Sequence, residues 1–99
     1  MNDYILLMHD VVPTVHADAE TDWPAYFAKL RAANAFEGGS SIGDGVCVSK
    51  SGSPPAISRH LAGYIRIRAA SLDAARELVI GNPVFEAGGT VEIRELPRD

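Results

Sequence analysis

Cysteine occurs once in the 99 residues, at Cys47. A lone thiol excludes a disulfide framework and agrees with a reducing, cytoplasmic setting. No stretch approaches about 18 apolar residues, so no membrane-spanning helix is expected. The longest apolar run, Tyr4 to Met8, follows Asn2 and Asp3 rather than a basic region, so it does not read as a secretory leader. Basic residues are few and scattered: nine against thirteen acidic, for a formal net charge of −4. Without a basic run, nucleic acid is not an expected partner. Paired metal ligands are lacking as well. His9, His16 and His60, taken with Asp10 and Asp18, match no zinc-ligand spacing, so neither a metal nor a cofactor is expected. The glycines at 38, 39, 43 and 45 lack the Lys-Ser/Thr ending of a phosphate loop and follow a helical segment, so they read as a helix stop and hairpin lead-in.

What is present is enough apolar residue, 46% of the chain, for one core within a single domain spanning residues 1–99. Residues 4–9 form a first strand, and residues 10–20, with Pro13 and scattered acids, a loop. A first helix follows, capped by Thr21 or Asp22 with Pro24 in its first turn. Trp23, Tyr26, Phe27 and Leu30 line one side of it, and Gly38-Gly39 ends the segment. A short second strand is expected at 45–49, then a flexible stretch over 50–59 rich in Ser, Gly and Pro. The third strand, 60–69, alternates Ile65, Ile67 and Ala69 against Tyr64, Arg66 and Arg68. Ser71 caps a second helix whose apolar side is Leu72, Ala75, Leu78 and Val79, stopped by Gly81-Asn82-Pro83. The fourth strand is 90–96.

The order β-α-β-β-α-β predicts an α+β, ferredoxin-like fold with an antiparallel sheet in the order 4-1-3-2, helices on one face and the other face open. An open face should be polar, yet Tyr4, Leu6 and Met8 are as apolar as Ile5 and Leu7. A contiguous apolar patch on a central strand calls for cover. The simplest cover is a second copy, sheet against sheet. Tyr4, Leu6, Met8, Tyr64, Arg66, Arg68, Glu92 and Arg94 are then the interface of a homodimer.

Several segments together resemble the YCII-related family, in its DGPF-domain branch. They are Tyr4-Ile5-Leu6-Leu7-Met8, Trp23-Pro24-Ala25-Tyr26-Phe27, Ala62-Gly63-Tyr64-Ile65, Ser71-Leu72-Asp73-Ala74-Ala75, Asn82-Pro83 and Gly89 to Leu96. The resemblance implies a dimeric α+β barrel, with two sheets face to face and helices outside. In some members it also implies acid–base work by a His–Asp pair, as in small lactone isomerases. Tyr26 stands where the family histidine falls, and Asn82 where the aspartate precedes a proline. The Asp-Gly-Pro-Phe signature is replaced by Ser51-Gly52-Ser53-Pro54.

Topology gathers His9, His60, Asp22, Trp23, Tyr26 and Asn82 at one end of the sheet. With Ile5 and Leu7 toward the helices, His9 points to Tyr26 and Asn82, while His60 points to the open face. His9, Tyr26 and Asn82 are the candidate catalytic group, and Trp23, His60 and Asp22 the candidate ligand-binding residues. An ordinary tyrosine is a poor base at neutral pH, and an asparagine moves no proton. The reading is therefore a homodimeric small-molecule-binding protein without strong catalysis. The alternatives are a weak acid–base enzyme, isomerase- or lactone-hydrolase-like, on a small carbonyl or lactone, and a non-catalytic dimerisation or regulatory module.

Overall fold

The computed structural model describes residues 1–9 and 19–98, with backbone alone for 19–21. Along the chain run β1 (Asn2–His9), α1 (Ala19–Ala32), β2 (Phe36–Ser41), β3 (Leu61–Ala69), α2 (Leu72–Glu77), α3 (Pro83–Glu86) and β4 (Val91–Leu96). The strands form one antiparallel sheet in the order β2-β3-β1-β4, as a ferredoxin-like α+β fold requires. The expected loop at 10–20 lies outside the described residues as far as 18, as do Asp10, His16 and Asp18. No helix among the described residues is long and apolar enough to cross a membrane.

Helix α1 begins at Ala19, so Thr21 and Asp22 fall inside it rather than at its cap, and Pro24 sits in the second turn. Its stop is Asn34, not Gly38-Gly39. Asn34 takes a left-handed φ of 57°. Its N–H donates to the Arg31 carbonyl and the Ala35 N–H donates to Leu30, each at 2.9 Å. Those two bonds close a Schellman motif, which an asparagine can adopt as well as a glycine.

With the helix ended early, the glycine pair is free to enter the sheet. Strand β2 is Phe36–Ser41, and residues 45–49 form no strand. Gly38 (φ 116°) carries the bulge that shifts β2 against β3. At Gly39 an added Cβ would lie 2.5 Å from the Tyr64 carbonyl oxygen, so β2 approaches β3 closely only because that position is bare.

Ser71 caps α2 as expected, its hydroxyl accepting from the Ala74 N–H at 3.1 Å. The helix ends at Glu77, sooner than its apolar pattern implied, and Leu72 is exposed. Asn82-Pro83 opens the short helix α3 instead of merely ending α2, with Asn82 as N-cap and Pro83 in its first turn.

Tyr4, Leu6 and Met8 lie buried beneath the helices with Ile65, Ile67, Ala69, Tyr26, Leu30, Ala75 and Val79. This reverses the face expected for β1, and it removes those three residues from any sheet-to-sheet interface. Register decides the matter: Tyr4 pairs with Ile67 and Leu6 with Ile65, so β1 inherits the orientation that the arginines of β3 impose. Ile5, Leu7 and His9 therefore face the open side with Tyr64, Arg66, Arg68, Glu92 and Arg94.

Candidate functional site

Among the described residues two places carry chemistry, one on each face of the sheet. On the open face, His9 ends β1, and its backbone N–H donates to the Thr90 carbonyl at 3.0 Å, just before β4. Leu7 pairs with Glu92, so the Glu92 side chain rises on the same face. His9 Nε2 lies 2.9 Å from Glu92 Oε1. An ionised carboxylate only accepts, so Nε2 is the donor in this contact. The other Glu92 oxygen accepts from Arg94 Nη1 at 3.2 Å. The His9 hydrogen bond, then the one from Arg94, holds the Glu92 carboxyl below its ordinary range. His60, just before β3, sets its ring edge-on to His9 with centroids 4.9 Å apart.

On the helix side, Met8, Gly63 and Ile65 floor a cleft of about 390 Å³ between α1 and the β2–β3 pair. Trp23 and Phe27 form one wall, stacked at 5.5 Å with 27° between ring planes. Ser41 and the backbone of Ser40 stand on the other, and Val84 closes an end. The cleft is an apolar slot with an aromatic wall and the Ser41 hydroxyl, the kind of surface that holds a flat ring.

The anticipated group of His9, Tyr26 and Asn82 does not assemble, because His9 is on the open face and the other two are on the helix side. Tyr26 is buried, and its hydroxyl donates to the Leu78 carbonyl at 2.6 Å. Burial pushes its phenol up to about 12, against a smaller opposing effect of Asn82. It stays protonated at neutral pH and is no base there. Asn82 is fully buried, and its Oδ1 accepts from the N–H groups of Val84 (2.9 Å) and Phe85 (3.2 Å). Its Nδ2 has no hydrogen-bond partner among the described residues. Both side chains tie α1 and α3 to the turn after α2.

Of the other candidates, Trp23 lines the cleft and His60 joins His9, whereas Asp22 is exposed on the first half of α1. Sequence reasoning did not pair Glu92 with His9. The signal was available, since the antiparallel β1–β4 pairing brings the end of one strand to the start of the other. Ser40 and Ser41 were missed because β2 was expected nine residues later. Among the described residues no group of three or more His, Cys, Asp or Glu is arranged to hold a metal ion.

Among solved structures, the chain is similar to 5-chloro-2-hydroxyhydroquinone dehydrochlorinase (TftG) from Burkholderia phenoliruptrix AC1100, determined in complex with 2,5-dihydroxybenzoquinone. The TM-score is 0.63 at 15% identity, over 98% of this chain and 95% of that one. At that identity the likeness is one of fold, and it agrees with the fold that the YCII-related resemblance implies. No protein-family model matches the chain, and no curated protein does.

Proposed function

We propose that this protein is a divergent, cytoplasmic member of the YCII-related family that binds a small planar molecule as a homodimer, without strong catalysis. The observation that carries the reading is the cleft walled by stacked Trp23 and Phe27. Its apolar floor suits an aromatic or quinone-like ring, and the Ser41 hydroxyl suits a hydroxyl or carbonyl substituent. The ligand seen in the TftG structure, 2,5-dihydroxybenzoquinone, is a molecule of that class. Dimerisation is supported by the open sheet face, where half-buried Ile5 and Leu7 sit among Tyr64, Arg66, Arg68, Glu92 and Arg94, charges of both signs.

A second reading has its own observation. The His9–Glu92 contact of 2.9 Å leaves an imidazole oriented by a carboxylate, an arrangement suited to proton transfer on a small carbonyl or lactone.

Trp23 is the only tryptophan, so its fluorescence reports on the cleft directly. Titration with 2,5-dihydroxybenzoquinone and with hydroxybenzoates should give saturable quenching, weakened about tenfold or more in Phe27→Ala. Binding curves that never saturate up to about 1 mM, together with no calorimetric heat, would overturn the cleft reading. Turnover of a bound compound that disappears in His9→Ala would favour the acid–base reading instead.

A further inference from the structure

Residues 42–60 join β2 to β3 in a long connection that contains neither helix nor strand. Val46 and Val48 in it are 82% and 87% exposed, the most exposed large hydrophobics among the described residues. A second apolar feature lies behind the other edge of the sheet. It is a groove of about 610 Å³ lined by Val79, Ile80, Phe85, Val91 and Ile93 together with Asp73, Arg76 and Glu77 of α2, in which Ile80 is 57% and Phe85 46% exposed. The two features cannot meet simply within one chain, because the connection springs from the β2–β3 edge and the groove flanks β4. Three strand spacings, about 14 Å, and the full width of the sheet separate them.

The chain also exposes more surface than its mass accounts for. Its accessible area is 6760 Å², against about 5,500 Å² for a compact monomer of 10.6 kDa. The radius of gyration is 14.9 Å, against about 13 Å for a compact chain of this length. The excess area is larger than the roughly 800 Å² that each partner contributes to a standard interface. With extents of 47 × 39 × 19 Å, the molecule is a two-layer slab. Along the connection every residue but Cys47 and Ile57 is exposed, so it is not packed over its own sheet or helices.

We propose that residues 42–60 form an exchanged arm. In the dimer, Val46 and Val48 of each copy seat in the Ile80–Phe85–Val91–Ile93 groove of the other. The inference rests on the homodimer proposed above and adds how that dimer is locked. Two face-to-face sheets related by a twofold axis along the strands place the β2 edge of one over the β4 edge of the other. That axis also keeps each end of the sheet in register. The arm's root and the start of β4 share one end, since His60 meets His9 and His9 bonds to Thr90. The arm of one copy thus emerges beside Val91 of its partner. Val46 and Val48 lie five and seven residues beyond Ser41, a reach of about 17–24 Å, enough to cross the roughly 10 Å between the sheets and pass around the edge to the groove. Both contacts repeat about the twofold axis, so the assembly closes at two chains.

Val46 and Val48 support no core, so Val46→Asp/Val48→Asp should fold as the wild type does. Sedimentation of wild type and variant over about 1–100 μM reads the inference, with a weakening of at least about tenfold expected for the variant and for Ile80→Asp. In a Cys47→Ser background, oxidised Val48→Cys mixed with Ile80→Cys should give a disulfide-linked heterodimer between the two variants. A wild-type dimer whose dissociation constant is unchanged in Val46→Asp/Val48→Asp overturns the arm and leaves the dimer standing. A wild type that sediments as 10.6 kDa throughout overturns both.

Discussion

Single positions in this chain do work that their residue type alone does not disclose. Gly39 is required for closeness rather than flexibility, because a methyl there meets the Tyr64 backbone at 2.5 Å. Gly39→Ala should therefore cost about 1–3 kcal/mol through strain between β2 and β3, read as a lower urea midpoint with unchanged slope. Tyr26 has been drawn out of acid–base chemistry by burial. Its phenol ordinarily ionises near 10 but is pushed up to about 12 in the folded state. The unfolded chain thus releases that proton first, so the corresponding stability is present below pH 10 and is lost as pH rises toward 12. Tyr26→Phe should flatten that alkaline decline in urea unfolding measured across pH 9 to 11.5. At neutral pH it should cost about 1 kcal/mol for the lost bond to Leu78.

At the scale of elements, ends decide more than interiors. The Schellman turn at Asn34 stops α1 early enough for Phe36 to begin a strand. The Ser71 cap starts α2, and Asn82 starts α3 where the chain would otherwise only turn. Because α2 has just six residues, it depends heavily on its cap. Ser71→Ala should cost about 1 kcal/mol in thermal or urea unfolding, and Ser71→Asp should restore most of it by accepting the same Ala74 N–H beside the helix's positive end. The apolar stripe of α1 was legible as a period of 3.6, and the Ile65–Ile67–Ala69 face of β3 as a period of 2. The position of β2 was not, because Phe36-Glu37-Gly38-Gly39-Ser40-Ser41 has little strand character of its own. It becomes a strand by pairing with β3.

At the scale of the whole molecule, the described residues share one thin core, a single layer of side chains between sheet and helices. Leu6 lies at its centre, fully buried on a strand paired on both sides. Leu6→Ala should cost about 2–5 kcal/mol, a large share of the roughly 5–15 kcal/mol that holds a domain of this size. Circular dichroism should show the variant melting far below the wild type. Conservative shortening at Ile5 on the open face should cost far less in the isolated chain. If the two changes cost the same, the assignment of faces is wrong.

The sequence by itself determined the β-α-β-β-α-β plan apart from the added helix α3 and the place of β2, the sheet order and the identity of the core stripe on α1 and β3. These rest on periodicity and caps, which act over a few neighbouring residues. It did not determine which face of β1 is inside, because both of its alternating sets are apolar and only pairing against Arg66 and Arg68 breaks the tie. That one decision turned His9 away from Tyr26 and Asn82 and toward Glu92 and His60. The ring-sized cleft under Trp23 likewise exists only once the bulged glycine strand has found its partner. Register is a long-range property: it depends on contacts between residues dozens of positions apart, and no local pattern encodes it.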